Sequence, residues 1–511
     1  MTGYQREHGD GAGLDAGLEG FAACFDNRYA RLPAHFFTRV APTPRKGTRL
    51  LDVSPGCLAL LGLDADRPGA EALTALLGGE RLWPGMDPIA QKYTGHQFGI
   101  YNPSLGDGRG LLLGEWLAPD GARFDLHLKG AGVTPYSRFA DGQAVLRSSL
   151  REYLASEAMA ALGVPTSRAL AVAVNQERVR RERWEPGATL LRVAPSHVRF
   201  GHFEWLAFGG DQPGLRKLID YVIDGHWPHL REYESPTAAM FDEVVAATAE
   251  MIAAWQAYGF VHGVMNTDNM SILGLTFDYG PFAFQDAFDP AFNPNHTDQE
   301  GRYSYAEQPS VGLWNLSRLA SALLGPIGEE LGGEERARDA LAGALERYGE
   351  RLNLRYGERM RARLGLELEQ PGDPRLLGDF LALLQAGRCD YQLCFRALAD
   401  WHGDEPGERL RAALGDGAAS RDWLSRYRDR LAMETRAESA RIAAMDAVNP
   451  LYVLRTHLAQ RAIEAIETSA DTAELVRLRA CLSAPFTPQP GAEAYASAPP
   501  AGAPVCLSCS S

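Results

Sequence analysis

Residues 241–280 narrow the fold of this chain more than any other stretch. Val244, Val245, Met251, Ile252 and Trp255 recur at helical spacing and predict a helix over 241–258, stopped by Gly259. Phe260-Val261-His262-Gly263-Val264-Met265-Asn266-Thr267-Asp268-Asn269 follows, then a predicted short hairpin with arms 270–273 and 275–277 about Gly274, then Asp278-Tyr279-Gly280. This spacing sets Asn269 just before the hairpin and Asp278 just after it. Both offer hard oxygen donors, which suit Mg²⁺ held between protein and phosphates.

Three upstream features extend the pattern. Ser104-Leu105-Gly106-Asp107-Gly108-Arg109-Gly110 carries glycines at alternate positions. It reads either as a plain turn or as a loop whose N–H groups approach a phosphate. Next, 111–116 and 124–129 flank Pro119-Asp120-Gly121, a hairpin signature that ends on Lys129 and Gly130-Ala131-Gly132. A lysine at that strand end can pair with phosphate oxygens or simply be solvated. A helix follows over 144–162, with Leu146, Leu150, Leu154, Ala158 and Leu162 four apart and Gly163 and Pro165 as its stop. Glu152 on this helix is the favoured ion-pair partner of Lys129, with Glu157 as the competitor. Strands are expected at 169–174 and 189–194, and helix from 314 to about 483.

Glycine loop, strand lysine, helix glutamate, His-containing loop with asparagine, hairpin and Asp-aromatic-Gly resemble the order found in protein kinases. The expected fold is therefore α+β, protein-kinase-like and two-lobed, with a β-rich N-lobe and a mainly helical C-lobe. The expected division is a disordered N-terminus over 1–20, an N-lobe over 21–205, a C-lobe over 206–484 and a flexible tail over 485–511. One residue departs from the kinase pattern. Five before Asn269 stands Val264, which cannot accept a proton. Either the chain is inactive, or another group such as Asp268 serves as the base.

Composition narrows the partners. A formal net charge of −14 argues against nucleic acid. The chain has no apolar run of membrane-spanning length and no signal-like or presequence-like start, so a cytoplasmic monomer without membrane contact is expected.

The longer strings are similar to the selenoprotein O family. They are Tyr93-Thr94-Gly95-His96-Gln97-Phe98-Gly99, Gly106 to Gly110, Lys129 to Arg138, Leu191 to Gly201, His262 to Asn269 and Asp278-Tyr279-Gly280-Pro281. The resemblance runs from about Phe21 onward. It implies AMPylation: transfer of AMP from ATP, with UMP from UTP also attributed to the family, to Ser, Thr or Tyr hydroxyls of protein substrates, with loss of pyrophosphate. It implies nucleotide contacts at Gly106, Gly108, Arg109, Lys129, Asp141, Gly142, Arg192, Arg199 and Asp278. It further implies Asp268 as catalytic base, and Asn269 and Asp278 as ligands of Mg²⁺ or Mn²⁺.

Of seven cysteines, Cys24, Cys57, Cys389, Cys394 and Cys481 read as packing residues. Cys506 and Cys509 form a CxxC in the tail, where eukaryotic relatives carry selenocysteine at the second position. A redox role fits that resemblance; half a zinc site or idle thiols are the other readings. Two rival functions stay open: a kinase of the same fold, and an inactive, pseudokinase-like nucleotide-binding scaffold whose working part is the CxxC.

Overall fold

The computed structural model describes residues 16–402 and 405–500, which fall into two compact units. The first takes the described residues of Met1–Tyr93 with Ser104–Tyr153 and Ser167–His197. The second takes Thr94–Pro103, Leu154–Thr166 and the described residues of Val198–Ser511. The architecture is α+β, β-rich in the N-terminal region and helical in the C-terminal region.

The first unit is built on an eight-stranded antiparallel sheet. Strands Gly110–Leu117 and Arg123–Lys129 pair because both supply apolar runs across a turn that Asp120 closes, accepting from Ala122 N at 2.9 Å. Strand Trp184–Ala194 runs between Arg123–Lys129 and Arg168–Arg180, placing Leu190 opposite Lys129 and Arg192 opposite His127. These central strands are buried, so any charge on them must find a partner within the protein.

Phe21, Trp83 and Trp116 anchor the core, the Phe21 ring meeting the two indoles edge-on at 5.3 and 5.0 Å. Leu18 is buried in the same cluster. The stretch expected to be disordered through residue 20 is therefore ordered from 16 onward, because Leu18 gives it an apolar anchor.

The second unit is dominated by helices, among them Pro236–Tyr258, Gln308–Leu331 and Glu334–Leu364. The first begins earlier than periodicity predicted: Ser235 caps it by accepting from Ala238 N at 3.2 Å, and Pro236 supplies the first turn. Among the described residues no helix is long and apolar enough to cross a membrane.

Three expectations are corrected here. The boundary near 205 is not a simple cut, because 94–103 joins the second unit: Thr94 N donates to Gly201 O and His96 N to Thr267 Oγ1. The arms 270–277 do not pair with each other. Ser271 bridges to Arg199 and Thr276 to Thr166, so their backbone partners come from distant segments. The tail is packed through residue 500. Pro485 O accepts from Leu451 N and Tyr452 N, and buried Tyr495 donates to Glu474 Oε2 at 3.0 Å. Cys506 and Cys509 lie outside the described residues.

Candidate functional site

In the first unit the glycine run is a braced loop. Gly106 sits at φ +140°, and a Cβ there would come within 2.7 Å of the Tyr136 ring and 2.9 Å of Gln91 O, so only glycine fits. Buried Asp107 accepts from Gln91 N at 3.0 Å and from Tyr93 OH at 3.3 Å. Thr134 Oγ1 donates to Asp107 O at 2.6 Å and Ser137 Oγ donates to Gly108 O, while Arg109 O accepts from Gly130 N at 2.7 Å. Gly142 O accepts from Gly132 N at 3.1 Å, which ties the lysine-strand turn to the next loop. Asp141 is held in a fork by Arg181, at 2.7 and 2.9 Å. That pairing keeps its carboxyl below the ordinary range.

Lys129, Glu152 and Arg192 form one buried cluster. Lys129 Nζ donates to Glu152 Oε2, and Arg192 reaches the same carboxylate at 2.5 Å through Nε and 3.1 Å through Nη2. Glu152 rather than Glu157 makes this pair. Burial pushes the Glu152 carboxyl up, but Arg192 and Lys129 outweigh it and hold the group below its usual value. Burial brings Lys129 down to about 8, against the pull of Glu152 and with the push of Arg192 and Arg109. Both cations converge on the one Glu152 carboxylate.

The second unit gathers the remaining residues. Arg199 Nη1 donates to Asp268 O at 2.7 Å and contacts Asp278 Oδ2, with its guanidinium 4.7 Å over the Phe277 ring. Asp278 holds a left-handed backbone at φ +57°, uncommon for a residue with a side chain. Asn269 Nδ2 donates to Val264 O at 2.9 Å, so Oδ1 is its remaining acceptor. Val264 thus serves through its carbonyl, a part any residue could play. His262 Nε2 donates to Phe277 O at 3.0 Å and its Nδ1 accepts from Val264 N, which fixes the loop with a neutral imidazole; burial holds its pKa down.

Asp268 is buried, with Oδ2 accepting from Gln97 Nε2 at 3.0 Å and Oδ1 without a partner. Burial raises its pKa to about 6. Asn269 and Asp278 offer hard oxygen donors, and Mg²⁺ takes few protein ligands when phosphates and water complete its shell. Asn269 and Asp278 fit such an ion. Among the described residues no cluster of three His, Cys, Asp or Glu forms a closed metal cage.

Residue patterns did not single out what stands behind Asp268. Strands Gly95–Gln97 and Ile100–Asn102 form a hairpin whose Gln97 holds the carboxylate. Thr267 Oγ1 accepts from His96 N at 2.7 Å and donates to Glu204 Oε2 at 3.1 Å, which also lies 3.1 Å from His96 Nδ1. Burial lifts Glu204 to about 7 and lowers His96. The one local signal was Phe98-Gly99, whose positive φ values of 51° and 82° make a two-residue hairpin turn.

A family model described as protein adenylyltransferase SelO matches residues 20–483. A protein nucleotidyltransferase YdiU of Chromohalobacter salexigens is 60% identical over 494 residues, covering 95% of this chain and 97% of the relative. Proteins of the same name from Pseudomonas fluorescens and Azotobacter vinelandii are each 49% identical over 489 residues, 95% of this chain and 98% of the relative. The chain belongs to the SelO family of protein adenylyltransferases and is a nucleotidyltransferase enzyme.

Proposed function

We propose that the enzyme transfers AMP from ATP to a serine, threonine or tyrosine hydroxyl of a protein and releases pyrophosphate. The observation that carries this reading is Asp268, a buried carboxylate with one oxygen oriented by Gln97 and the other unpartnered. That carboxylate is the proton acceptor that Val264 cannot be. The acceptor hydroxyl oxygen bonds to the α-phosphorus and its proton passes to Asp268. The bond from the α-phosphorus to the bridging oxygen breaks, and pyrophosphate leaves with that oxygen.

Lys129 and Arg192, both held in place by Glu152, bind phosphate oxygens, and Arg109 and the loop from Gly106 to Gly108 complete the grip. Asp141 and Gly142 shape the neighbouring loop. Arg199 orients Asp278 while meeting phosphate charge. Mg²⁺ or Mn²⁺ held by Asn269 and Asp278 would neutralise charge on the phosphates as the bond breaks.

ATP radiolabelled at the α-phosphorus should leave label on acceptor protein, and ATP labelled at the γ-phosphorus should leave none. Label retained only from the γ-position would establish a kinase of this fold. Retention from neither would establish an inactive scaffold. UTP labelled at the α-phosphorus in the same assay distinguishes UMP from AMP transfer.

A pH limb should accompany the activity. The pKa of Lys129 lies near 8, below its ordinary value, so the cation is present below that pH and lost as pH rises through it. The value of kcat/KM for ATP should therefore fall above about pH 8. Lys129→Arg, which stays charged, should remove that fall even if its absolute rate is lower. An unchanged limb in this variant would assign it to another group.

A further inference from the structure

We propose that the hairpin Gly95–Asn102, together with Arg302, Trp314 and Arg318, is the docking surface for an acidic, apolar-flanked segment of the acceptor protein. The inference rests on the transfer reaction proposed above and names the kind of polypeptide that reaches Asp268.

The hairpin is joined to the candidate base by its own side chain, Gln97, so whatever docks on it is next to the reacting hydroxyl. The hairpin is held at its turn and along the face that carries His96 and Tyr101. Phe98 N donates to Asn266 Oδ1 at 3.2 Å and to Tyr303 OH at 3.0 Å, and His96 packs edge-on against Trp314 at 5.4 Å. Phe208, 45% exposed, packs on Tyr101 of that same face at 5.3 Å, while Ile100, 74% exposed, stands opposite Gln97 on the other face and Phe98, 39% exposed, lies at the turn between them. Large side chains kept in water beside a catalytic residue mark a contact surface, whereas scattered ones carry no such meaning.

The charge beside this patch is unusual for the chain. Net charge is −14, and most arginines of the second unit have acidic partners. Arg347 and Arg351 pair with Asp242, Arg430 with Asp373 and Glu434, and Arg455 with Asp286 and Asp390. Arg302 and Arg318 differ. Their guanidinium groups lie 4.8 and 5.2 Å from the centre of the same Trp314 ring, and among the described residues neither forms an ion pair. Arg302 also lies where a Cβ on Gly99 would be 3.6 Å from it, so its charge sits at the hairpin turn.

Two like charges stacked on one indole repel each other, and a carboxylate between or beside them would relieve that repulsion. A free phosphate could do so too, but it would make no use of Phe98, Ile100 and Phe208. Apolar side chains next to unpaired cations fit a peptide that alternates large apolar residues with Glu or Asp.

The test uses the full chain, ATP labelled at the α-phosphorus, and three serine peptides of one length. Each carries leucine near the serine, and the flanks are glutamate, glutamine or lysine. The glutamate peptide should exceed the glutamine peptide by about tenfold in kcat/KM, with the lysine peptide lowest. Arg302→Gln with Arg318→Gln should erase the ranking, and Arg302→Glu with Arg318→Glu should reverse it. Calorimetry should show unchanged ATP binding in each.

A ranking that ignores the flanks, or that survives both double variants, overturns the docking surface alone. Loss of ATP binding in the variants would assign the two arginines to the nucleotide and overturn it as well. If the wild-type enzyme labels neither peptides nor any protein, the transfer reaction itself fails and the docking surface with it.

Discussion

Exchanging Glu152 for glutamine should destabilise the first unit by about 3–5 kcal/mol, the cost of leaving a buried charge without its partner. The carboxylate is buried and accepts from both Lys129 and Arg192. Glutamine keeps the shape but removes the negative charge that both cations reach. Lys129, already brought to about 8 by burial, would shed its proton more readily still, and Arg192 would lose the carboxylate that it grips with Nε and Nη2. Urea unfolding followed by tryptophan fluorescence measures the change, since Trp83 and Trp116 lie in the core of this unit. ATP affinity should fall in the same variant, because neutral Lys129 no longer attracts phosphate. A variant as stable as wild type and as tight for ATP would mean that the cluster bears neither load.

The sheet centre and the Glu152 helix were legible because their signals are local. Apolar runs on either side of Asp120-Gly121 predict a hairpin ending at Lys129, and a four-residue apolar repeat predicts the helix. The candidate site was legible for a different reason: Asn269 and Asp278 stand at fixed offsets around a short turn. What escaped were features whose partners are distant in sequence. The segment 270–277 has the composition of a hairpin, and alternation cannot tell whether a strand pairs with its neighbour or with Arg199 and Thr166.

Gln97 and Thr267 lie in strings that carry the family resemblance, but neither they nor Glu204 stand at a spacing that assigns them a role. Their role exists only because 94–103 folds away from its sequence neighbours and lies against 201 and 266–268. Gly95 allows that approach: a Cβ there would fall 2.9 Å from Asp268 Oδ1 and 3.0 Å from its Cβ. Leu18 and Tyr495 show the converse case. A single buried side chain orders a Gly- or Pro-rich stretch that composition alone assigns to disorder.

Asp268→Asn should lower AMP transfer by about a hundred- to ten-thousand-fold, the usual contribution of a positioned general base, with ATP affinity unchanged. Asparagine can still offer an oxygen to Gln97 Nε2, so the loop should keep its shape. What it loses is the carboxylate's capacity to take up a proton. Gln97→Ala should give a smaller loss, because the carboxylate remains but is no longer oriented. The decisive comparison adds Val264→Asp to Asp268→Asn. If a carboxylate at the kinase position were all that is missing, the double variant would regain activity, measured as label transferred from the α-phosphorus.

No recovery is expected. Val264 is buried, a Cβ on Gly280 would lie 4.0 Å from its methyl, and its useful atom is the carbonyl that holds Asn269. An aspartate there would be desolvated, which favours its protonated form and weakens it as a base. Full transfer by Asp268→Asn would remove Asp268 as the base. Recovery in the double variant would show that the valine marks a displaced kinase site. Loss in both, with ATP still bound, is the result expected of a fold in which proton transfer has moved four residues along the loop, from position 264 to position 268.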